Sequence, residues 1–237
     1  MGAVYSLTLR QLTGRWRLLI MAALSTWPVI MSIVALRQDD APTVAAFEAV
    51  VLSSMLVGSI LPLVVLAIAA AAFANEIEDR TIANLTLSPI PRWQIALPKL
   101  LAIITIASPF IAISAFLTSH IAFLADAKAT MSVVGASLIG LAMYASLFTW
   151  LGLVSGQAIG VGLLYVVLWE GLFARFVAGV RLLSIRYFSI DLMHGFDERR
   201  FAGSNHLGLI AVISIAVLII GGFLYLSIKR LRRMDIP

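Results

Sequence analysis

Long apolar runs separated by short polar stretches organise this chain. The runs fall at about 18–36, 48–74, 98–124, 131–154, 158–179 and 207–228. Each is close to, or longer than, the roughly 20 residues that a helix needs to cross the hydrocarbon of a bilayer. None alternates apolar and polar positions as a barrel strand does. Backbone inside lipid must bond its own polar groups, so these runs predict helices. The expected fold is all-α, a polytopic membrane protein with six transmembrane helices. Pro62 and Pro109 fall within the second and third runs. Each removes a backbone donor and predicts a kink. The first run exceeds the roughly 7–15 residues of a signal-peptide core, and its flank "VALRQDD" is a poor cleavage site. It therefore reads as a retained span.

Residues 1–17 carry a different pattern. Tyr5, Leu9, Leu12 and Trp16 form one stripe at helical spacing, and Ser6, Arg10, Thr13 and Arg17 form another about 100° away. This predicts a helix lying in the membrane interface, with its apolar stripe in lipid and its arginines near phosphates. Composition narrows the class further. The chain is 61% hydrophobic and 12% charged, against about half and about a quarter in a soluble domain. It has no cysteine, hence no disulfide framework, thiolate metal site or redox pair.

Charge placement sets the expected orientation. Arg10, Arg15 and Arg17 precede the first run. Arg80, Arg92 and Lys99 lie between the second and third, and Lys229, Arg230, Arg232 and Arg233 follow the sixth. Both termini are therefore expected on the cytoplasmic side. Arg181, Arg186, Arg199 and Arg200 would then lie outside, partly offset by Asp191, Asp197 and Glu198.

The stretch "NEIEDRTIANLTLSPIPRW", residues 75–93, interrupts the hydrocarbon most sharply. It is longer than the roughly 2–8 residues that usually connect two helices. "RTIANLTLS" forms about two helical turns. Pro89 stops them by pushing Ser88 toward extended geometry, and Pro91 opens the next helix. Glu76, Glu78 and Asp79 stand where a helix dipole favours negative charge. Ile82 and Leu85 supply apolar contacts that a merely solvated loop does not need.

This stretch resembles the cytoplasmic coupling segment of ABC-2-type transporter permeases. That pattern runs Glu-x-Glu-x-Gly-Thr-Leu, a Leu, a Pro, a small loop with Arg, then a Lys opening the third span. Here it reads Glu76, Glu78, Thr81, Ile82, Leu85, Pro89, Arg92 and Lys99, with Arg80 in place of the Gly. The resemblance extends to the interfacial N-terminal helix, the six spans and a longer outer segment before the last span. It implies one transmembrane domain over 1–237, with a coupling segment at 75–97 and an outer, re-entrant segment at 180–206. It implies that Glu76, Glu78, Arg80, Thr81, Ile82, Leu85, Ser88, Pro89 and Arg92 dock a separate ATPase. Two such ATPase chains carrying ATP and magnesium, and a second permease chain, identical or similar, complete an ATP-driven exporter. The setting implied is the cytoplasmic (inner) membrane of a prokaryote. The chain itself is expected to be non-catalytic, with no cofactor, metal or nucleic acid.

The remaining features fit that expectation. "LVSGQAIG" at 153–160 is similar to an ABC ATPase signature loop, but the chain has no G-x-x-x-x-G-K-[ST] phosphate loop. Gly152, Gly156 and Gly160 recur every four residues and predict close helix approach, within the chain or between subunits. Glu170 is the one carboxylate well inside a predicted span. It either lines a translocation path or marks the outer end of that span. Ser114, Thr118 and Ser119 are expected to bond to backbone or a neighbouring helix. His120, His194 and His206 are dispersed, without metal-ligand spacing. Two other readings remain: a membrane subunit for haem-linked cargo in cytochrome c maturation, and an ATPase-independent secondary transporter or scaffold. The last predicts a charged pair at mid-membrane and internal repeats.

Overall fold

The structure is a computed structural model that describes residues 2–37, 43–70, 72, 91–124, 126–174, 183–201 and 207–233. Among these the chain forms eight helices: α1 Gly2–Leu12, α2 Arg15–Leu36, α3 Val44–Ala69, α4 Trp93–Ala122, α5 Ala127–Val154, α6 Ala158–Phe173, α7 Ile185–Phe196 and α8 Leu209–Arg233. Five of them, α2, α3, α4, α5 and α8, are long and apolar enough to cross a membrane. The expected span at 158–179 is represented by the shorter α6, which is about 24 Å long where a full crossing needs about 30 Å. Residues 175–182 lie outside the described ones.

The centre of the bundle is α3 and α5, each with 67% of its most apolar window buried, whereas α8 has 11%. The large apolar side chains that α2, α6 and α8 leave exposed, such as Trp27, Leu164 and Leu218, are what a lipid-facing surface requires. Polar side chains set several boundaries. Thr43 Oγ1 accepts from the Ala46 N–H at the start of α3, and Asp126 Oδ1 accepts from the N–H groups of Lys128 and Ala129 at the start of α5. Gly14 is extended and breaks α1 from α2.

The predicted apolar stripe of α1 does not face lipid as a unit. Leu12 and Thr8 are buried, and the Tyr5 hydroxyl donates to Thr105 Oγ1 of α4 at 3.0 Å. Only Trp16, beyond the Gly14 break, is strongly exposed. Tyr5 meets α4 inside the apolar run itself, beside Pro98, Leu101 and Thr105.

Two helices change their winding. Glu48–Ile60 of α3 and Tyr165–Phe173 of α6 have π-helical i→i+5 bonding. The hydroxyls of Ser54 and Ser59 follow it, each donating to the carbonyl five residues back. In α3 the wide stretch ends just before Pro62, which stands at the first turn of the α-helical part, where a missing N–H costs least. Single π turns recur at functional sites, and these two longer stretches both border one buried polar cluster.

The short helix α7 runs antiparallel to α5. Phe196 lies beside Gly135 and Ser189 beside Gly140, while Ile185 shares a cavity wall with Leu147. At 12 residues α7 is about 18 Å long against about 42 Å for α5, so it penetrates part of the bundle and stops.

Glycine allows that approach. A Cβ on Gly140 would collide with the Ser189 side chain and sit 3.6 Å from Leu61 Cδ1. Gly162 is pressed in the same way against Leu66. Gly156 and Gly160 have nothing within 4 Å of a Cβ, while Gly152 is buried. Gly140→Ala is expected to destabilise the solubilised protein by about 1–3 kcal/mol through overpacking. Gly160→Ala, in open helical surface, should instead stabilise by about 0.5–1 kcal/mol. Thermal unfolding of both variants is the check, and equal midpoints would contradict the packing described here.

Candidate functional site

Of the nine residues expected to dock an ATPase, Glu76, Glu78, Arg80, Thr81, Ile82, Leu85, Ser88 and Pro89 lie outside the described residues. Arg92 is described, half-buried in the turn that enters α4. The two flanks of this segment are drawn together. Lys99 is 1% exposed, and its Nζ donates to the Ala72 carbonyl at 2.7 Å. Lys99 therefore ties the chain just beyond α3 to the first turns of α4.

A second constellation lies within the bundle. Glu170 is fully buried at the end of α6. Its Oε1 accepts from the Tyr165 hydroxyl at 2.9 Å and from the Ile185 N–H at 3.0 Å, and its Oε2 accepts from Ser184 Oγ. The wide winding of α6 brings residues five apart into register, which places Tyr165 on Glu170. Ser184 is the N-cap of α7, and its Oγ accepts from the Tyr187 N–H at 3.3 Å. The carboxylate thus sits on the N-terminus of α7, where the dipole and the free N–H groups favour an anion. Tyr144 of α5, also fully buried, lies near the carboxylate. It lies about 15 Å from the Val154 end of α5, near mid-depth of the bundle.

One residue after Ile185, Arg186 is 6% exposed, and its guanidinium donates to Ser53 Oγ and Ser54 Oγ, each at 3.0 Å. It was expected outside the membrane on charge counting, but it is buried against the wide stretch of α3. Gly58 makes room for it, since a Cβ there would sit 3.0 Å from Arg186 Nε. The N-terminus of α7 is therefore pinned to α6 by a carboxylate and to α3 by a guanidinium.

The other end of α7 is also pinned. His194 Nε2 meets Glu48 Oε1 at 2.5 Å. The His194 ring stacks on Phe201, and Phe201 packs edge-on to Phe123. Lys128 pairs with Asp197 at 3.5 Å, and the Arg200 guanidinium lies over the Phe123 ring. His120 is separate, stacked on Phe116, and His206 is outside the described residues.

Of the expected site residues, the structure buries Glu170 in protein, seals it with three donors and places it beside Ser184. It does not bring Glu170 near Arg92 or the glycines at 156 and 160. Ser53, Ser54, Tyr144, Tyr165 and Ser184 were not singled out by sequence reasoning, and Arg186 entered it only as a loop charge. One signal was available. "SIRYFSIDL" places a Ser directly before an apolar-periodic run, an N-cap pattern. "LVSGQAIG" forms the turn between α5 and α6.

Residues 9–189 match the sequence model of a family described as "ABC-2 family transporter protein". No curated protein matches the chain.

Proposed function

The chain belongs to the ABC-2 family of transporter membrane proteins, and from that premise we propose that it is the permease subunit of an ATP-driven exporter. ATP and magnesium act on a separate ATPase, present in two copies, and a second permease chain completes the complex. Both termini face the cytoplasm. The segment at 75–97 is the inner coupling element, α6 belongs to the fifth of six spans and α8 is the sixth, and α7 dips into the outer half of the inner membrane of a prokaryote.

The observation that carries this reading is the Lys99 bond to the Ala72 carbonyl. It joins both flanks of the charged segment, so a push on that segment moves α3 and α4 together. The same helices lead to the Glu170 and Arg186 anchors of α7, through α3 directly and through α5, against which α4 packs extensively. A secondary transporter would draw on the buried charges at mid-depth, and Glu170 and Arg186 are both there. Glu170, however, is fully engaged by Tyr165, Ser184 and the Ile185 N–H, which suits an anchor better than a carrier of protons or ions.

Gentle purification from the native membrane tests the proposal. A nucleotide-hydrolysing chain is expected to co-purify at about one ATPase per permease. Recovery of the permease alone, with transport driven by an ion gradient, would overturn it.

A further inference from the structure

Of the five candidate spans among the described residues, α8 is the one that protein holds least, with 11% of its most apolar window buried. Its uncharged part, Leu209–Ile228, has 20 residues, or about 30 Å of helix, which is the thickness of bilayer hydrocarbon. Lys229, Arg230, Arg232 and Arg233 follow at once, and all four are exposed. They rise over about 6 Å of helix, against about 5–8 Å of headgroup region on each side of a bilayer. The charge therefore begins where hydrocarbon ends.

The four cations share one side of the helix. At 3.6 residues per turn they cover an arc of about 160°, and the buried Leu231 stands opposite its centre. Leu218, Tyr225 and Leu226 fall on the cationic side and are exposed. One face of α8 thus runs from lipid-facing apolar residues, past a tyrosine of the kind that settles at headgroup level, into four positive charges. That face turns away from α5 and α7, against which α8 packs. A soluble acidic partner would have to reach into the headgroup layer to meet it.

Lys99, Lys128 and Arg186 each meet an oxygen of the protein. Among the described residues, none of the four cations of α8 makes an ion pair. Instead Lys229 faces Arg232 and Arg233, and Arg230 faces Arg233, at the i+3 and i+4 spacings where like charges repel. The negative end of the helix dipole offsets part of that repulsion, and anions from outside the protein would relieve the rest.

We propose that this end of α8 is a binding surface for anionic phospholipids. Their headgroups neutralise Lys229, Arg230, Arg232 and Arg233 and fix the depth of a helix that protein contacts hold weakly. The surface requires only that the chain is embedded in a membrane, whether or not an ATPase drives it.

The probes are phosphatidylglycerol and phosphatidylcholine with identical acyl chains, each carrying a diazirine near the glycerol. Each is added at trace level to the full chain in phosphatidylcholine nanodiscs, and labelling is read at residues 225–233. Phosphatidylglycerol should label them at least about tenfold more, since each basic residue at a membrane surface favours an anionic lipid by about fivefold. Arg230→Gln and Arg233→Gln should each cut that ratio about fivefold. Ser214→Ala, near the other end of α8, should leave it unchanged. Raising the salt from about 0.1 M to about 1 M shortens the screening length from about 10 Å to about 3 Å. In the unaltered chain this should lower the ratio severalfold, a readout that needs no variant to insert or fold. Equal labelling by the two lipids, or a ratio indifferent to salt and to the glutamine variants, would overturn the proposal. An ATPase-bound complex in which residues 229–233 crosslink to the ATPase in place of lipid would also overturn it, by assigning the cluster to an acidic protein surface.

Discussion

Glu170→Ala is expected to destabilise the chain by about 3–5 kcal/mol, with the damage centred on α7. The side chain buries no large apolar volume, so the cost comes from what it leaves behind. Tyr165 and Ser184 lose their acceptor, and the Ile185 N–H loses its partner. Each orphaned donor costs about 1–3 kcal/mol, and the three together set the size of the loss. Glu170→Gln keeps one acceptor oxygen but introduces an N–H₂ group among donors, so an intermediate loss is expected. The measurement is thermal unfolding in detergent together with hydrogen exchange over 185–196. If exchange in α7 rose no more than in α2, the anchoring role assigned to Glu170 would be wrong.

The second large effect concerns coupling. Leu85→Asp, and to a lesser degree Thr81→Ala and Glu76→Ala, are expected to abolish ATP-driven transport while the chain still inserts and folds. A helix that docks through Ile82 and Leu85 loses its buried contact when one becomes charged, because a charge taken from water into an apolar groove is strongly penalised. Lys99→Met tests the same path one step inward. It retains the apolar stem but removes the donor to the Ala72 carbonyl, so the ATPase should still bind while its turnover responds less to the permease. Reconstituted complexes would be assayed for ATPase retention and for turnover with and without the permease. Normal retention and turnover in Leu85→Asp would refute the coupling assignment.

The two effects differ in how visible they were beforehand. The charged segment at 75–93 stood out because charge and proline interrupt hydrocarbon, and no tertiary knowledge is needed to see that. Glu170 was visible as an intramembrane carboxylate, but its role was not. Two readings were weighed for it, a path lining and the outer end of its span, and neither named the helix N-terminus that lies against it. Arg186 was misplaced for a related reason: charge counting assigns loops to sides and has no term for a loop that folds back into the bundle.

Glycine spacing does not by itself mark the close contacts within the chain. Gly156 and Gly160 make a regular pattern with Gly152, yet among the described residues tight contacts fall at Gly58, Gly140, Gly162 and Gly195, which follow no simple period. Which glycine is pressed against a neighbour depends on where another helix crosses, and a single helix's own repeat does not contain that information.

By itself the sequence determined the class of the protein: all-α, membrane-embedded, with long apolar helices broken by a charged segment at 75–93. Those features follow from local physics, the length of a bilayer crossing and the obligation of backbone in lipid to bond internally. The tertiary structure alone decided which polar groups meet. The Lys99 clamp spans 27 residues, and the Arg186 contacts with Ser53 and Ser54 span more than 130. In an apolar medium each such group must be satisfied at close range or left at a cost, and the partner is chosen by helix packing rather than by anything near it along the chain.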